Sequence, residues 1–182
     1  MAGGIRAWNG LVAEGEPEAG IVYFPESSEP RELIAFAWLL EEGSRKFYSA
    51  LPSIFPDEKD IRIFHDLSTA EEHHKESLLS LYKTVSGQEP DVHFPHSVLG
   101  EKIHDDIMEG GVHVQEALRW VTGKNLHRVL EISMSLETNA YDLYLKMHQR
   151  MGEDRARKVF LMLAKEEKQH LARLAALLEK MT

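Results

Sequence analysis

One stripe of side chains constrains what this chain can fold into: Phe64, Leu67, Glu71, His74, Leu78 and Leu81. The steps between them alternate between three and four, so on an α-helix all six lie along one inward-facing seam. Four are apolar, as a buried seam requires. A carboxylate and an imidazole, three residues apart, interrupt it. The same residue types return 96 positions later as Phe160, Leu163, Glu167, His170, Leu174 and Leu177. Six matched identities at helical spacing make an internal repeat, which helical composition alone does not produce.

The repeat extends towards the N-terminus of each half. Ile34, Ala37, Glu41, Ser44, Tyr48 and Leu51 share the spacing, and they are matched by Leu130, Ser133, Glu137, Ala140, Tyr144 and Met147. Each half is therefore a Glu/Tyr helix followed by a Glu-x-x-His helix. Together the four helices bring four Glu and two His to one level of a bundle core, the ligand set of a two-metal carboxylate site. An ionised carboxylate on a buried seam costs several kcal/mol unless it is paired or bound to metal. Two divalent cations, roughly 3–4 Å apart as in other two-metal sites, would balance four carboxylates. Neutral imidazoles from His74 and His170 would add one nitrogen ligand per metal. Mixed oxygen and nitrogen ligation suits iron, with manganese or zinc as alternatives.

The pattern resembles the ferritin-like di-iron carboxylate proteins, and within them the rubrerythrin-like branch. The run Glu41-Glu42-Gly43 with Phe47-Tyr48, and the paired Glu-x-x-His motifs, carry the resemblance over roughly residues 31–181. It implies an all-α, ferritin-like four-helix bundle with a long crossover between helices 2 and 3. It also implies roles: Glu71 and Glu167 as bridging carboxylates, Glu41 and Glu137 as terminal ligands. Tyr48 and Tyr144 would each hold a carboxylate across the site. Ala37, Ser44, Ser133 and Ala140 leave room there for a small oxidant. The activity implied is reduction of hydrogen peroxide or O2 by a two-iron oxidoreductase, with an external electron donor and a homodimeric assembly. The alternatives are a ferroxidase or iron-handling protein, and a non-catalytic, metal-stabilised interaction module. One departure bears on this choice. The additional helix 3 Glu of rubrerythrins has no counterpart three residues from Glu137, where Met134 and Ala140 stand. The predicted ligand set is thereby the simpler one of bacterioferritins.

Composition removes other classes. The sequence has no cysteine, which excludes disulfides, thiol catalysis and iron–sulfur ligation, and with them an attached rubredoxin module. A formal charge of −9 without a basic stripe argues against nucleic acid as a partner. No run of about 18 apolar residues and no signal-peptide pattern is visible, so the expectation is no membrane insertion and a cytoplasmic location.

Residues 1–30 read as an N-terminal arm outside the bundle domain of residues 31–182. Gly3-Gly4 followed by Trp8-Asn9-Gly10 resembles the C-terminal end of a rhodanese domain, as a remnant of a fusion. Sulfur transfer is excluded, because the rhodanese nucleophile is a cysteine. The other reading is an arm packing Trp8, Tyr23 and Phe24 on the bundle or a partner.

Four long helices are predicted at about 30–50, 57–86, 125–151 and 154–181. Glu29 or Ser28 would cap the first, with Pro30 in its first turn and Pro52 ending it. Pro56-Asp57-Glu58 would open the second, Gly87 would close it, and Gly152 would end the third. Within the crossover, 98–108 and 112–121 read as short helices divided by Gly110-Gly111, and no strand is predicted. His93 and His96 are candidates only for adventitious metal. Glu42, Glu72 and Glu166 read as a solvated acidic face.

Overall fold

The structure is a computed structural model that describes residues 29–55, 61–100 and 105–181. The N-terminal arm up to residue 28, the expected start of the second helix at Pro56-Asp57, and part of the crossover lie outside these residues. Four long helices dominate: α1 (Pro30–Ile54), α2 (Arg62–Ser86), α5 (Leu126–Arg150) and α6 (Asp154–Lys180). The crossover carries two short helices, α3 (His96–Leu99) and α4 (Val114–Val121).

Local chemistry explains most of the helix ends. The Glu29 N–H donates to the Glu32 carboxylate at 2.9 Å, with Pro30 in the first turn of α1. Asn125 caps α5 by accepting from the Arg128 N–H at 3.0 Å. Gly87 stops α2 in the left-handed region, with φ of 69°. Two ends differ from expectation. Helix α1 runs through Pro52 to Ile54, and the Phe55 N–H still bonds the Leu51 carbonyl at 3.1 Å. Proline removes one hydrogen bond there, while the last turn keeps Leu51 fully buried, so packing outweighs the local rule. Helix α5 stops because Met151 turns extended, with φ of −70° and ψ of 129°, rather than through a left-handed Gly152.

Helix α1 packs on α2, α5 packs on α6, and α2 meets α6 between the pairs. The repeat becomes a structural symmetry. Every seam residue named above is buried except Leu177, which packs at the edge of the core. The core divides into two apolar clusters. One takes Ile34, Leu81, Tyr144 and Phe160; the other takes Tyr48, Phe64, Leu130 and Leu174. Tyr48 stacks on Phe64 with ring centroids 6.4 Å apart, and its repeat partner Tyr144 stacks on Phe160 at 6.0 Å. The acidic layer lies between the clusters.

Of the two helices predicted in the crossover, the second is present as α4, and the first reduces to α3 among the described residues. Among the described residues, 100 and 105–108 are not helical, and Val112 and His113 precede α4 in extended form. Instead β1 (Ile107–Met108) pairs antiparallel with β2 (Val112–His113) across the turn Glu109–Gly111. Gly110 and Gly111 both have positive φ, 77° and 71°, which reverses the chain within three residues and brings the flanking residues into register. No helix among the described residues is long and apolar enough to cross a membrane.

Candidate metal centre

The four long helices meet at a layer of buried acid and imidazole. Glu41, Glu71, His74, Glu137 and Glu167 are each at most 2% exposed, and His170 6%. These side chains form two overlapping groups. Glu41, Glu71, His74 and Glu167 offer four ligand atoms within 4.8 Å of one another, and so do Glu71, Glu137, Glu167 and His170. Glu71 and Glu167 belong to both. Each group adds one Glu from the first helix of a half and one His from the second.

The His74 ring shows what the layer lacks. Its Nδ1 lies 3.2 Å from Glu41 Oε2, 3.0 Å from Glu71 Oε2 and 3.1 Å from Glu167 Oε1. One N–H cannot serve three carboxylate oxygens. Glu71 Oε2 and Glu167 Oε1 accordingly have no hydrogen-bond partner among the described residues. In the other half, His170 Nδ1 lies 2.9 Å from Glu137 Oε2 and 3.2 Å from Glu167 Oε2. Orphaned oxygens converging on imidazole nitrogens are the surroundings a divalent cation satisfies, so the residues present fit a metal pair. The two rings stack with centroids 5.6 Å apart.

The tyrosines cross between halves. Tyr48 on α1 donates to Glu137 on α5, and Tyr144 on α5 donates to Glu41 on α1. Each phenol is fully buried, and burial together with the carboxylates around it raises its pKa well above the ordinary value. Both phenols therefore stay protonated as donors and orient the carboxylates they touch.

Three features escaped the sequence reading. Glu166, expected on a solvated face, places Oε2 2.9 Å from His74 Nε2, while Nδ1 faces the layer. Glu166 itself lies off the seam and reaches from α6 to His74 on α2, so helical periodicity carries no trace of the contact. Glu42 likewise is mostly buried. It binds Lys75 Nζ at 2.6 Å and Arg45 Nε at 2.8 Å, while Lys75 also sits 4.9 Å from the Trp38 ring. Burial opposes its ionisation, but Arg45 and Lys75 outweigh this and hold its pKa at about 2. Glu72 joins the same network at Lys75, 2.9 Å away. The third feature is Glu109 on the crossover turn, 3% exposed and outside the repeat. Burial, then the charges of Glu41, Glu71, Glu167 and Glu137, raise its pKa well above the ordinary value. The candidate histidines His93 and His96 join no metal-competent group among the described residues.

In the metal-free chain, protons compensate the layer. Burial and then the charge of Glu167 raise Glu137 from 4.5 to about 8. Burial disfavours the His170 imidazolium, but Glu137 and Glu167 outweigh that and lift it from 6.5 to about 11. The folded chain thus holds protons that the unfolded chain releases, between about 4.5 and 8 for Glu137 and between 6.5 and about 11 for His170. Stability of the metal-free protein is expected to fall as pH rises through both windows. Thermal melts after chelation, across this range, measure it; a midpoint constant or rising with pH would contradict the assignment.

Four helices that each send a Glu into one buried layer, two of them with a His three residues on, define a class of bundle built round a metal-competent carboxylate centre. The Rubrerythrin family model matches residues 32–178, and the chain belongs to that family. No curated protein sequence matches it.

Proposed function

We propose that the protein is a di-iron oxidoreductase that reduces hydrogen peroxide, with O2 as the alternative oxidant. The observation that carries this reading is the pair of ligand groups sharing Glu71 and Glu167. Glu71 and Glu167, common to both groups, would hold the metal pair, together with Glu41 and His74 on one side and Glu137 and His170 on the other. Iron bound there supplies Lewis acidity and two electrons, so that peroxide, two electrons and two protons give two waters. An external donor would return those electrons; these 182 residues hold no cysteine to bind an iron–sulfur group. We further propose a cytoplasmic homodimer.

The chain's own residues do the rest. Tyr48 and Tyr144 hold Glu137 and Glu41 in place and keep their protons. Glu166 places a carboxylate oxygen 2.9 Å from His74 Nε2, behind the ring. Ala37, Ser44, Ser133 and Ala140 are buried and small, which favours room beside the ligands for an oxidant of two heavy atoms. The apolar clusters above and below exclude bulk water.

Stopped-flow mixing of the iron-loaded, reduced protein with peroxide or O2 at equal concentration tests this reading. The expected result is faster oxidation by peroxide, in a small oligomer that takes up no iron beyond its pair. Faster oxidation by O2 with uptake of many irons per chain would favour ferroxidase activity instead.

A further inference from the structure

Glu109 belongs to neither half of the repeat and to neither ligand group, yet its burial matches theirs. Two contacts that only glycine allows hold its turn in place. A Cβ on Gly43 of α1 would lie 2.1 Å from the Ile107 carbonyl oxygen, so helix and strand backbones touch. A Cβ on Gly110 would lie 2.6 Å from Asn139 Nδ2 of α5, and its φ of +77° disfavours any other residue. Gly43 is two residues from Glu41, and Asn139 is two residues from Glu137. The turn is therefore wedged between α1 and α5 at the level of the acidic layer. The charged groups that act on Glu109 there are Glu41, Glu71, Glu167 and Glu137. Among the described residues no Lys, Arg or His pairs with it. A buried carboxylate surrounded by carboxylates is strongly unfavourable unless a cation joins them.

We propose that Glu109 faces the metal pair as a fifth carboxylate and biases the centre towards its more highly charged state. The inference rests on the di-iron reading above. Four carboxylates already balance two divalent ions, so a fifth negative charge is matched only when the metals carry more charge. Attraction to that charge grows with the charge of the ion, which separates trivalent from divalent binding. This carboxylate comes from the crossover, not from helix α5, where Met134 and Ala140 stand three residues from Glu137.

The test uses the full-length metal-free protein and two redox-inert probes, terbium(III) and cobalt(II). In E109Q the affinity for terbium(III) should fall about tenfold or more relative to that for cobalt(II), while E109D should keep the wild-type ratio. An unchanged ratio in E109Q overturns the inference and leaves the metal site standing. Loss of helical circular dichroism in metal-free E109Q also overturns it, since a carboxylate kept for a metal is not needed by the empty fold. Wild-type protein that binds neither probe defeats the metal reading itself, and this inference with it.

Discussion

Replacing Glu71 by Gln is expected to lower metal affinity by more than about 100-fold, beyond the 10–100-fold typical of losing a group that only supports a ligand. The melting temperature of the metal-free protein should stay unchanged or rise. Glu71 belongs to both ligand groups, so its loss affects both metal positions at once. Without metal, burial and the charges of Glu41 and Glu167 push its pKa well above the ordinary value. Its oxygen Oε2 has no hydrogen-bond partner among the described residues. A neutral amide of the same shape removes repulsion there and disturbs little packing. Metal titration and melts of the chelated protein read the two effects separately. A large drop in metal-free melting temperature would instead make Glu71 half of a structural ion pair with His74, 3.0 Å away.

The second large effect is expected from Gly43→Ala. Helix propensity alone predicts a gain of roughly 1 kcal/mol, because glycine within a helix has more freedom to lose. The tertiary contact predicts the opposite. The added Cβ would meet the Ile107 carbonyl oxygen at 2.1 Å and the Met108 Cβ at 2.8 Å, and the nearer atom is backbone that no rotamer change can move. Overpacking of this kind costs about 1–3 kcal/mol, so the net change should be destabilising. A loss of 2 kcal/mol lowers the midpoint by about 4–8 °C in a domain of this size. Displacing β1 also shifts Glu109, so the selectivity for trivalent over divalent probes should weaken as in E109Q. A melting temperature raised by the alanine would show that the crossover does not press on α1.

The layer of acid and imidazole was legible because a helix converts spacing into direction. Residues three and four apart share a face, so a Glu and a His at matched levels of two repeated seams had few places to go but the core. The seam residues are buried accordingly, with Leu177 at the edge as the exception. The local rules were weaker guides. Pro52 was expected to end α1, and the packing of Leu51 carries the helix past it. In the crossover the predicted second helix is present as α4, but the expected end of the first, at residues 107 and 108, is a strand. The left-handed Gly110 and Gly111 turn residues 107–113 into a hairpin ahead of α4.

Spacing alone told which helices carry the acid and imidazole of the buried layer, and at what level. Periodicity is a property of one segment, and duplication let one half check the other. Only the tertiary structure decided which groups meet across segments. It paired each tyrosine with the carboxylate of the opposite half, aimed His74 at three oxygens, and set Glu166 behind it. It also delivered Glu109 to the layer through Gly43, distant in sequence, and a side chain of α5. Those contacts depend on how closely two backbones approach, and no spacing within a single helix records that distance.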